Sequence, residues 1–348
     1  MNKAVNTVVV PSVVGVGQTD LGLLSLGQFS RWRKKEQPYV VTWNGASYLV
    51  GPYVHRFARP VERMDFQRLS DGVELRALTY ATLGLLLGSG EHTIHIVAGL
   101  PVDVMMDENL AKSTRRGLRS WLVGEHRFEL DGEEYAFHVP SHKDVQVMAQ
   151  PAGSYFTWGL DDSGQWKRSP HDLEIQVAIC DIGFNTLDAF TIREGRPEAR
   201  YTDGDTVGMR RAAEMFTRSL RDQYGVKISL HEADQLLRQK TPRMDVAEGE
   251  IDLQPMIEQA LTSTAGEIIA FLESRWGQGK QFAHLLFTGG GSAMLHESLK
   301  PQFPFGTLVA NPVTANALGL ARYARRVFDG NITIGMDAGF GGFKAARL

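Results

Sequence analysis

The rhythm of apolar and polar positions changes repeatedly along this chain, and each change marks an element. Asn6 to Gly15 begins with a β-branched strand, with Pro11 suited to its end or an edge. Tyr39 to Val50 holds two apolar runs around Asn44-Gly45, a hairpin signature. Val73 to Leu87 has helical spacing and ends in Gly88 and Gly90. Thr93 to Val102 predicts a buried strand, Leu110 to Leu122 a helix, and Phe128 to Val139 a hairpin around Asp131-Gly132. Val145 to Met148 is a strand running into Ala149 to Gly153 and then an aromatic stretch, Tyr155 to Trp158. The polar residues Asp161 to Pro170 suit an inter-domain linker.

Beyond the linker, Ile175 to Phe190 predicts two strands around a glycine-containing turn. Helices follow over Val207 to Tyr224, His231 to Gln239 with Ser229 as cap, and Pro255 to Trp276 with proline in its first turn. The apolar stripe Ile257, Leu261, Ile268 and Leu272 faces a core. His284 to Thr288 is a strand, then Gly289-Gly290-Gly291-Ser292 leads into a helix over Ala293 to Leu299. Asn311 to Phe328 predicts the final helix, and Asp329-Gly330 turns the chain into its last segment.

That segment carries the first candidate chemistry. Ile332, Ile334 and Met336 alternate as in a half-buried strand. Asp337, Gly339, Gly341 and Gly342 then crowd into a turn before a return strand, Phe343 to Leu348. Dense glycine lets backbone N–H groups approach a ligand, and Asp337 and Lys344 match the needs of a magnesium-bound polyphosphate. Such a turn alone also fits a plain hairpin with a solvated lysine. A second copy changes the balance: Asp181, Ile182, Gly183, Phe184, Asn185 and Thr186 also follow an apolar strand, in the same Asp-x-Gly-Phe order. Two such hairpins facing across a cleft would clasp one polyphosphate. The triple glycine adds a helix start whose free N–H groups suit an anion or nucleotide.

Composition narrows the class. The 348 residues suffice for two domains, and the formal net charge of −3 with interspersed signs does not suggest direct nucleic-acid binding. The basic run Arg31 to Lys35 reads as a solvated face. The single cysteine, Cys180, excludes internal disulfides and fits a reducing cytoplasm. In its apolar strand beside Asp181 it reads as an inert thiol. No apolar run reaches membrane-spanning length, and no secretory core opens the chain. His138 and His142 lack metal-site spacing.

The three glycine turns together resemble the actin-like ATPase superfamily, and the Gly99-Leu100-Pro101-Val102 and Thr186-Leu187-Asp188 phrases resemble the ParM and archaeal plasmid-segregation actins. Asp337 to Lys344 is similar to the first phosphate loop, Asp181 to Asp188 to the second, and Thr288 to Ser292 to the adenosine motif. The resemblance implies an α/β fold with two RNase H-like domains flanking a nucleotide cleft. It places domain I at 1–162 plus 312–348 and domain II at 163–311. The order departs from the family, because the first phosphate loop closes the chain instead of opening it, so the sequence reads as circularly permuted.

By the same resemblance, Asp337 and Asp181 would hold Mg2+ or its waters, and Lys344 would contact the phosphates of ATP or ADP. Backbone amides of Gly339, Gly341, Gly342, Gly183, Phe184, Asn185 and Thr186 would cradle them. Asn185 stands where the family has glycine. Gln150 falls where the attacking water is oriented; a capping or surface amide is the plain alternative. Gly289, Gly290, Gly291 and Ser292, with Gly208, Glu232 and Lys240, are candidates for the ribose and base. The implied function is a polymerising ATPase, or GTPase, forming homopolymer filaments in the cytoplasm, for example in plasmid segregation with an adaptor or nucleoprotein complex. The alternatives are a small-molecule kinase and a monomeric regulatory ATPase on the same fold; no acidic base stands beside Gln150 to favour the kinase.

Overall fold

Each glycine-rich hairpin lies at the heart of its own sheet. The computed structural model describes residues 6–16, 37–61, 66–247, 249–329 and 332–348; the basic run Arg31 to Lys35 and Gly330 lie outside them. The chain divides into two units, Met1–Leu100 with Val104–Arg168 and Asn316–Leu348, and Pro101–Asp103 with Ser169–Ala315. Among the described residues no helix is long and apolar enough to cross a membrane.

The first unit is built on a 10-stranded sheet. Its strands are β1 (Asn6–Pro11), β2 (Val14–Gly15), β3 (Tyr39–Trp43), β4 (Ala46–Val50), β5 (Gly90–Leu100), β6 (Gly124–Leu130), β7 (Glu133–Val139) and β8 (Val145–Ala149), with β17 (Ile332–Ala338) and β18 (Gly342–Arg347) from the end of the sequence. The order is β1-β18-β17-β5-β7-β6-β3-β4-β2, with β8 also paired to β5. The last hairpin is therefore an interior part of the sheet. β18 runs antiparallel to β1, Arg347 opposite Asn6, and β17 runs parallel to β5, Asp337 opposite Gly99.

The turns behave as their residues dictate. Asn44 and Gly45 both take positive φ, 49° and 75°, and so do Asp131 and Gly132, at 53° and 85°. This backbone matches the twist of two-residue hairpins. Helix α1 (Val73–Leu87) falls on the expected residues and is buried almost all round, so it is a core helix. Helix α2 (Glu108–Leu122) opens on Asp107, whose side chain accepts from the N–H groups of Asn109 and Leu110.

Two expectations need correction here, and one unassigned stretch gains an element. β17 is buried along nearly its whole length instead of on one face. It lies inside the sheet, and helix α8 (Ala315–Val327) presses on it so closely that a Cβ on Gly335 would stand 2.0 Å from the Ala317 carbonyl oxygen. The stretch after β8, to which the sequence pattern assigns no element, is a helix, α3 (Gln150–Gly159), with proline in its first turn. Helix α8 itself starts four residues later than the periodicity predicts. Asn311 takes φ 51°, a left-handed and non-helical backbone, so the helix can begin only after it.

The second unit holds a 6-stranded sheet. β9 (Val177–Ile182) and β10 (Leu187–Arg193) form its hairpin, flanked by β11 (Arg196–Pro197), β12 (Asp203–Asp205), β15 (His284–Thr288) and β16 (Thr307–Leu308). A separate hairpin, β13 (Arg243–Val246) with β14 (Gly249–Asp252), is absent from the sequence reading. Helices α4 (Met209–Tyr224), α5 (Leu230–Gln239), α6 (Gln254–Trp276) and α7 (Gly289–Leu299) complete the unit. α7 begins at the first glycine, not at Ala293. β15 runs parallel to β9 with Thr288 opposite Asp181, so the register alone sets the triple glycine beside the aspartate.

Candidate functional site

In the first unit the end of β17 gathers three of the predicted residues. Asp337 is 2% exposed, and Gln150, the first residue of α3, is 5% exposed. The Gln150 Nε2 donates to Asp337 Oδ1 at 2.7 Å, and Lys344 Nζ donates to Oδ2 at 3.1 Å. A carboxylate this deeply buried needs compensation, and an ammonium on one oxygen with an amide on the other supplies it. Lys344 is placed by register, since it lies opposite Asp337 across the β17–β18 ladder.

Glycine makes room for this cluster. A Cβ on Gly99 would stand 2.9 Å from Gln150 Cγ, so a side chain there would push the amide away. Ser12 Oγ donates to the Gly339 carbonyl at 2.6 Å, and Ser12 N–H to the Gly341 carbonyl at 3.4 Å, tying the loop to the strand beside it. Gly342 already belongs to β18, opposite Pro11.

In the second unit, the loop after β9 is held by the start of α4. Met209 N–H donates to the Gly183 carbonyl at 3.1 Å and Arg210 N–H to the Phe184 carbonyl at 2.7 Å. Gly208 is the N-cap of α4, and a Cβ on it would stand 2.4 Å from the Phe184 carbonyl. Asn185 is 3% exposed and accepts at Oδ1 from Arg210 Nη1 at 3.2 Å, which fixes the residue that stands in place of the family glycine. Phe184 stacks on His231 with ring centroids 5.6 Å apart. Gly183 N–H closes the turn on the Thr186 carbonyl at 2.8 Å.

The glycine turn that opens α7 is closely packed, against the Ile182 backbone at Gly289 and Gly291 and against the end of the Arg238 side chain at Gly290. Added Cβ atoms would stand 2.3 Å from Asp181 Oδ1 at Gly289, 2.6 Å from Arg238 Nη1 at Gly290, and 2.4 Å from Ile182 Cγ2 at Gly291. Gly289 also takes φ 85°, and its N–H donates to the Pro312 carbonyl at 3.0 Å. Thr288 is the N-cap but makes no side-chain cap, so no capping side chain takes the N–H groups that follow Gly289. Two buried polar atoms nearby lack partners, Ser292 Oγ and Asp234 Oδ1.

Other candidates are engaged elsewhere. Glu232 closes a capping box with Ser229, accepting from its N–H at 2.9 Å and its hydroxyl at 2.8 Å, so its carboxylate serves the start of α5. Lys240 is the C-cap of the same helix in a left-handed conformation. Arg238 of α5 lies against the triple glycine at Gly290, and Asp234 pairs with it at 2.7 Å. Their i,i+4 spacing is readable as a helix pair, but no local pattern directs them to the glycine turn. Burial, with Asp181 and Asp188 beside it, pushes the Cys180 thiol well up, so it is inert, as the sequence implies. Among the described residues no group of three His, Cys, Asp or Glu side chains could hold a metal ion. A depression of about 630 Å³ over the outer ends of β5, β6 and β7, lined by Trp43, Arg127 and Glu129, contains none of the candidate residues.

Paired units of this kind, with carboxylate-headed glycine hairpins and a glycine-opened helix, define the actin-like class of proteins. The family comparisons agree along most of the chain. Residues 1–153 match the family model of the N-terminal domain of actin-like proteins, and residues 179–301 that of the C-terminal domain of the archaeal actin homologue MreB-like. The chain belongs to the actin-like proteins. No curated protein matches it significantly.

In fold it is similar to a non-polymerisable quadruple mutant of the pCBH ParM, with TM-score 0.72 and 21% identity over 92% of this chain and 93% of that one. It is likewise similar to the ParM of a 15-stranded filament from Clostridium botulinum, with TM-score 0.71 and 21% identity over 92% and 93% of the two chains. An archaeal actin homologue in complex with ADP gives TM-score 0.61 and 18% identity over 83% of this chain and 88% of that chain.

Proposed function

We propose that this chain is a nucleotide-dependent polymerising protein that binds and hydrolyses ATP, or GTP, with Mg2+ and assembles into homopolymer filaments in the cytoplasm. The observation that carries this reading is the buried Gln150–Asp337–Lys344 cluster. An amide that orients water, a carboxylate that attracts a hydrated cation and an ammonium that meets phosphate are the parts phosphoryl transfer to water requires. The residues fit the absent groups. Mg2+ ordinarily keeps several waters and takes one or two carboxylates plus phosphate oxygens, which suits isolated aspartates better than a protein cage.

Asp337 and Asp181 would each offer a carboxylate to a hydrated cation, which supplies charge neutralisation at the phosphates. Lys344 would turn from Asp337 toward phosphate, leaving a carboxylate oxygen for metal-bound water. Backbone N–H groups of Gly339, Gly341, Gly342, Phe184, Asn185 and Thr186 would cradle the phosphates, while the Gly183 N–H holds the second turn closed on the Thr186 carbonyl. The α7 N-terminus, with Gly289, Gly290, Gly291 and Ser292, would take the nucleoside, flanked by Gly208, Asp234 and Arg238. Gln150 would hold the attacking water without taking its proton.

Two further parts of the reading draw on the relatives. Filaments are the stated form of one ParM neighbour, which supports self-assembly here; a role such as plasmid segregation through an adaptor belongs to the same proposal. The chain is also circularly permuted in our reading, with 1–162 plus 312–348 and 163–311 as the two family domains. The support is the last hairpin, which follows α8 in sequence yet sits between β1 and β5 in the sheet.

Light scattering on adding ATP-Mg, run beside phosphate release with and without sugars, tests the function. Rising scattering with phosphate release, and filaments by electron microscopy, are the expected outcome. Flat scattering with phosphate transferred to a sugar would replace it with a kinase.

A further inference from the structure

We propose that Ser154 and Asn316 are positioning residues for hydrolysis, acting through Gln150. This rests on the reading of Gln150 as the water-orienting amide, and it concerns how α3 is held in place. Gln150 is the first residue of α3, so any slide or tilt of that helix moves its amide relative to Asp337. Helix α8 is the surface against which α3, β5 and β17 all stop.

The contacts are backbone-close because glycines face them. A Cβ on Gly319 would stand 1.6 Å from the Gly153 carbonyl oxygen, and one on Gly153 would stand 2.3 Å from the Asn316 carbonyl oxygen. α3 and α8 therefore touch main chain to main chain. On β17, Gly335 meets the Ala317 carbonyl oxygen in the same way, two residues before Asp337. On β5, Gly99 lies against both Gln150 and Leu320 of α8. One stretch of α8, Asn316 to Leu320, thus touches all three elements that set the Gln150–Asp337 distance.

Close apolar contact fixes separation but resists sliding poorly. Two polar bonds resist sliding: at the far end of α3 Arg322 Nη1 donates to the Thr157 carbonyl at 2.8 Å, and at the Gln150 end the Ser154 hydroxyl donates to Asn316 Oδ1 at 2.6 Å, with Ser154 0% and Asn316 4% exposed. A hydrogen bond at such depth has a defined direction, and removing either side chain removes that direction from the contact between the two helices. Ser154 lies one helical turn after Gln150, so its bond to Asn316 acts on the same end of α3 as the amide. A displacement of about 1 Å at a reacting group costs up to roughly 100-fold in rate.

The test is the variants Ser154→Ala and Asn316→Ala in the full chain, compared with Ser154→Thr, each in the wild-type and Gln150→Ala backgrounds. Nucleotide affinity is measured by equilibrium binding, and phosphate release at saturating ATP-Mg. We expect kcat to fall about 10- to 100-fold with affinity within about threefold, and Ser154→Thr to recover part of the loss. In the Gln150→Ala background the second substitution should have almost no further effect on kcat, since both act on the same water. Equal losses in both backgrounds, or parallel losses in affinity and kcat, would overturn the assignment and leave a merely structural bond. A wild-type protein that releases no phosphate would instead refute the proposed function. Thermal melts confirm that each variant folds, and the thermal stability of Gly266→Ala, a helical site with open space around it, gives a reference for substitutions that touch nothing.

Discussion

Single side chains divide the labour at this site, and their replacement should have distinct signatures. Asp337→Ala and Asp181→Ala each remove a cation-attracting carboxylate, and phosphate release should fall by at least about 100-fold. Unchanged turnover in a phosphate-release assay would refute the metal assignment. Gln150→Ala should instead leave nucleotide binding within a few-fold and slow hydrolysis by about 10- to 100-fold; equal losses in both would argue against orientation of water. Much of this was legible in the chain, because Asp337 and Lys344, or Asp181 and Gly183, are local to one turn. Arg238 and Asp234 were not, because only the packing of α5 brings them to the triple glycine. Glu232 enters only through the family resemblance, while its three-residue spacing from Ser229 sets up the capping box that it closes.

Among the elements, sequence periodicity succeeded wherever one rule governed and failed where tertiary contact overrode it. Hairpins at Asn44-Gly45 and Asp131-Gly132 follow from dipeptides that accept positive φ. Helix α3 escaped notice because Gln150 to Gly159 contains proline, two glycines and three aromatic residues, all poor helix formers. Its glycines are there for contact. Gly319→Ala at the facing position should destabilise the fold by about 1–3 kcal/mol, or more if the helices cannot part. By contrast, Gly266→Ala in α6 adds its methyl to open space and should stabilise by up to about 1 kcal/mol. Denaturant titration of the two variants checks the sign of each. β17 was misjudged for a complementary reason: alternation hints at one wet face, but a strand inside a covered sheet has none.

On the scale of the molecule, stability should depend on pH through one buried ring. His126 accepts from or donates to Tyr80 Oη at 3.1 Å and to the Leu122 carbonyl at 3.0 Å. The carbonyl can only accept, so Nε2 carries the proton and Nδ1 receives the Tyr80 hydroxyl, which is the neutral tautomer. Burial holds its pKa below the ordinary value, with Arg76 and His138 adding to the shift and the Leu122 carbonyl opposing it. The folded state thus binds fewer protons than the unfolded one below the unfolded pKa near 6.5. This contribution is present above that value and is lost as pH falls through it toward the lowered folded pKa. The slope cannot exceed about 1.4 kcal/mol per pH unit. His126→Gln should lose less stability than wild type between about pH 7.5 and 5.5; identical slopes in chemical denaturation would refute the ring as the source.

The lone thiol of Cys180 lies fully buried in β9, one residue from Asp181. A maleimide or disulfide reagent can reach it only when that sheet separates, so labelling in native buffer acts as a clock for opening of the second unit. Any ligand that grips the neighbouring turn must slow that clock, whether or not it is ever hydrolysed, and in this way occupancy becomes countable without an activity assay.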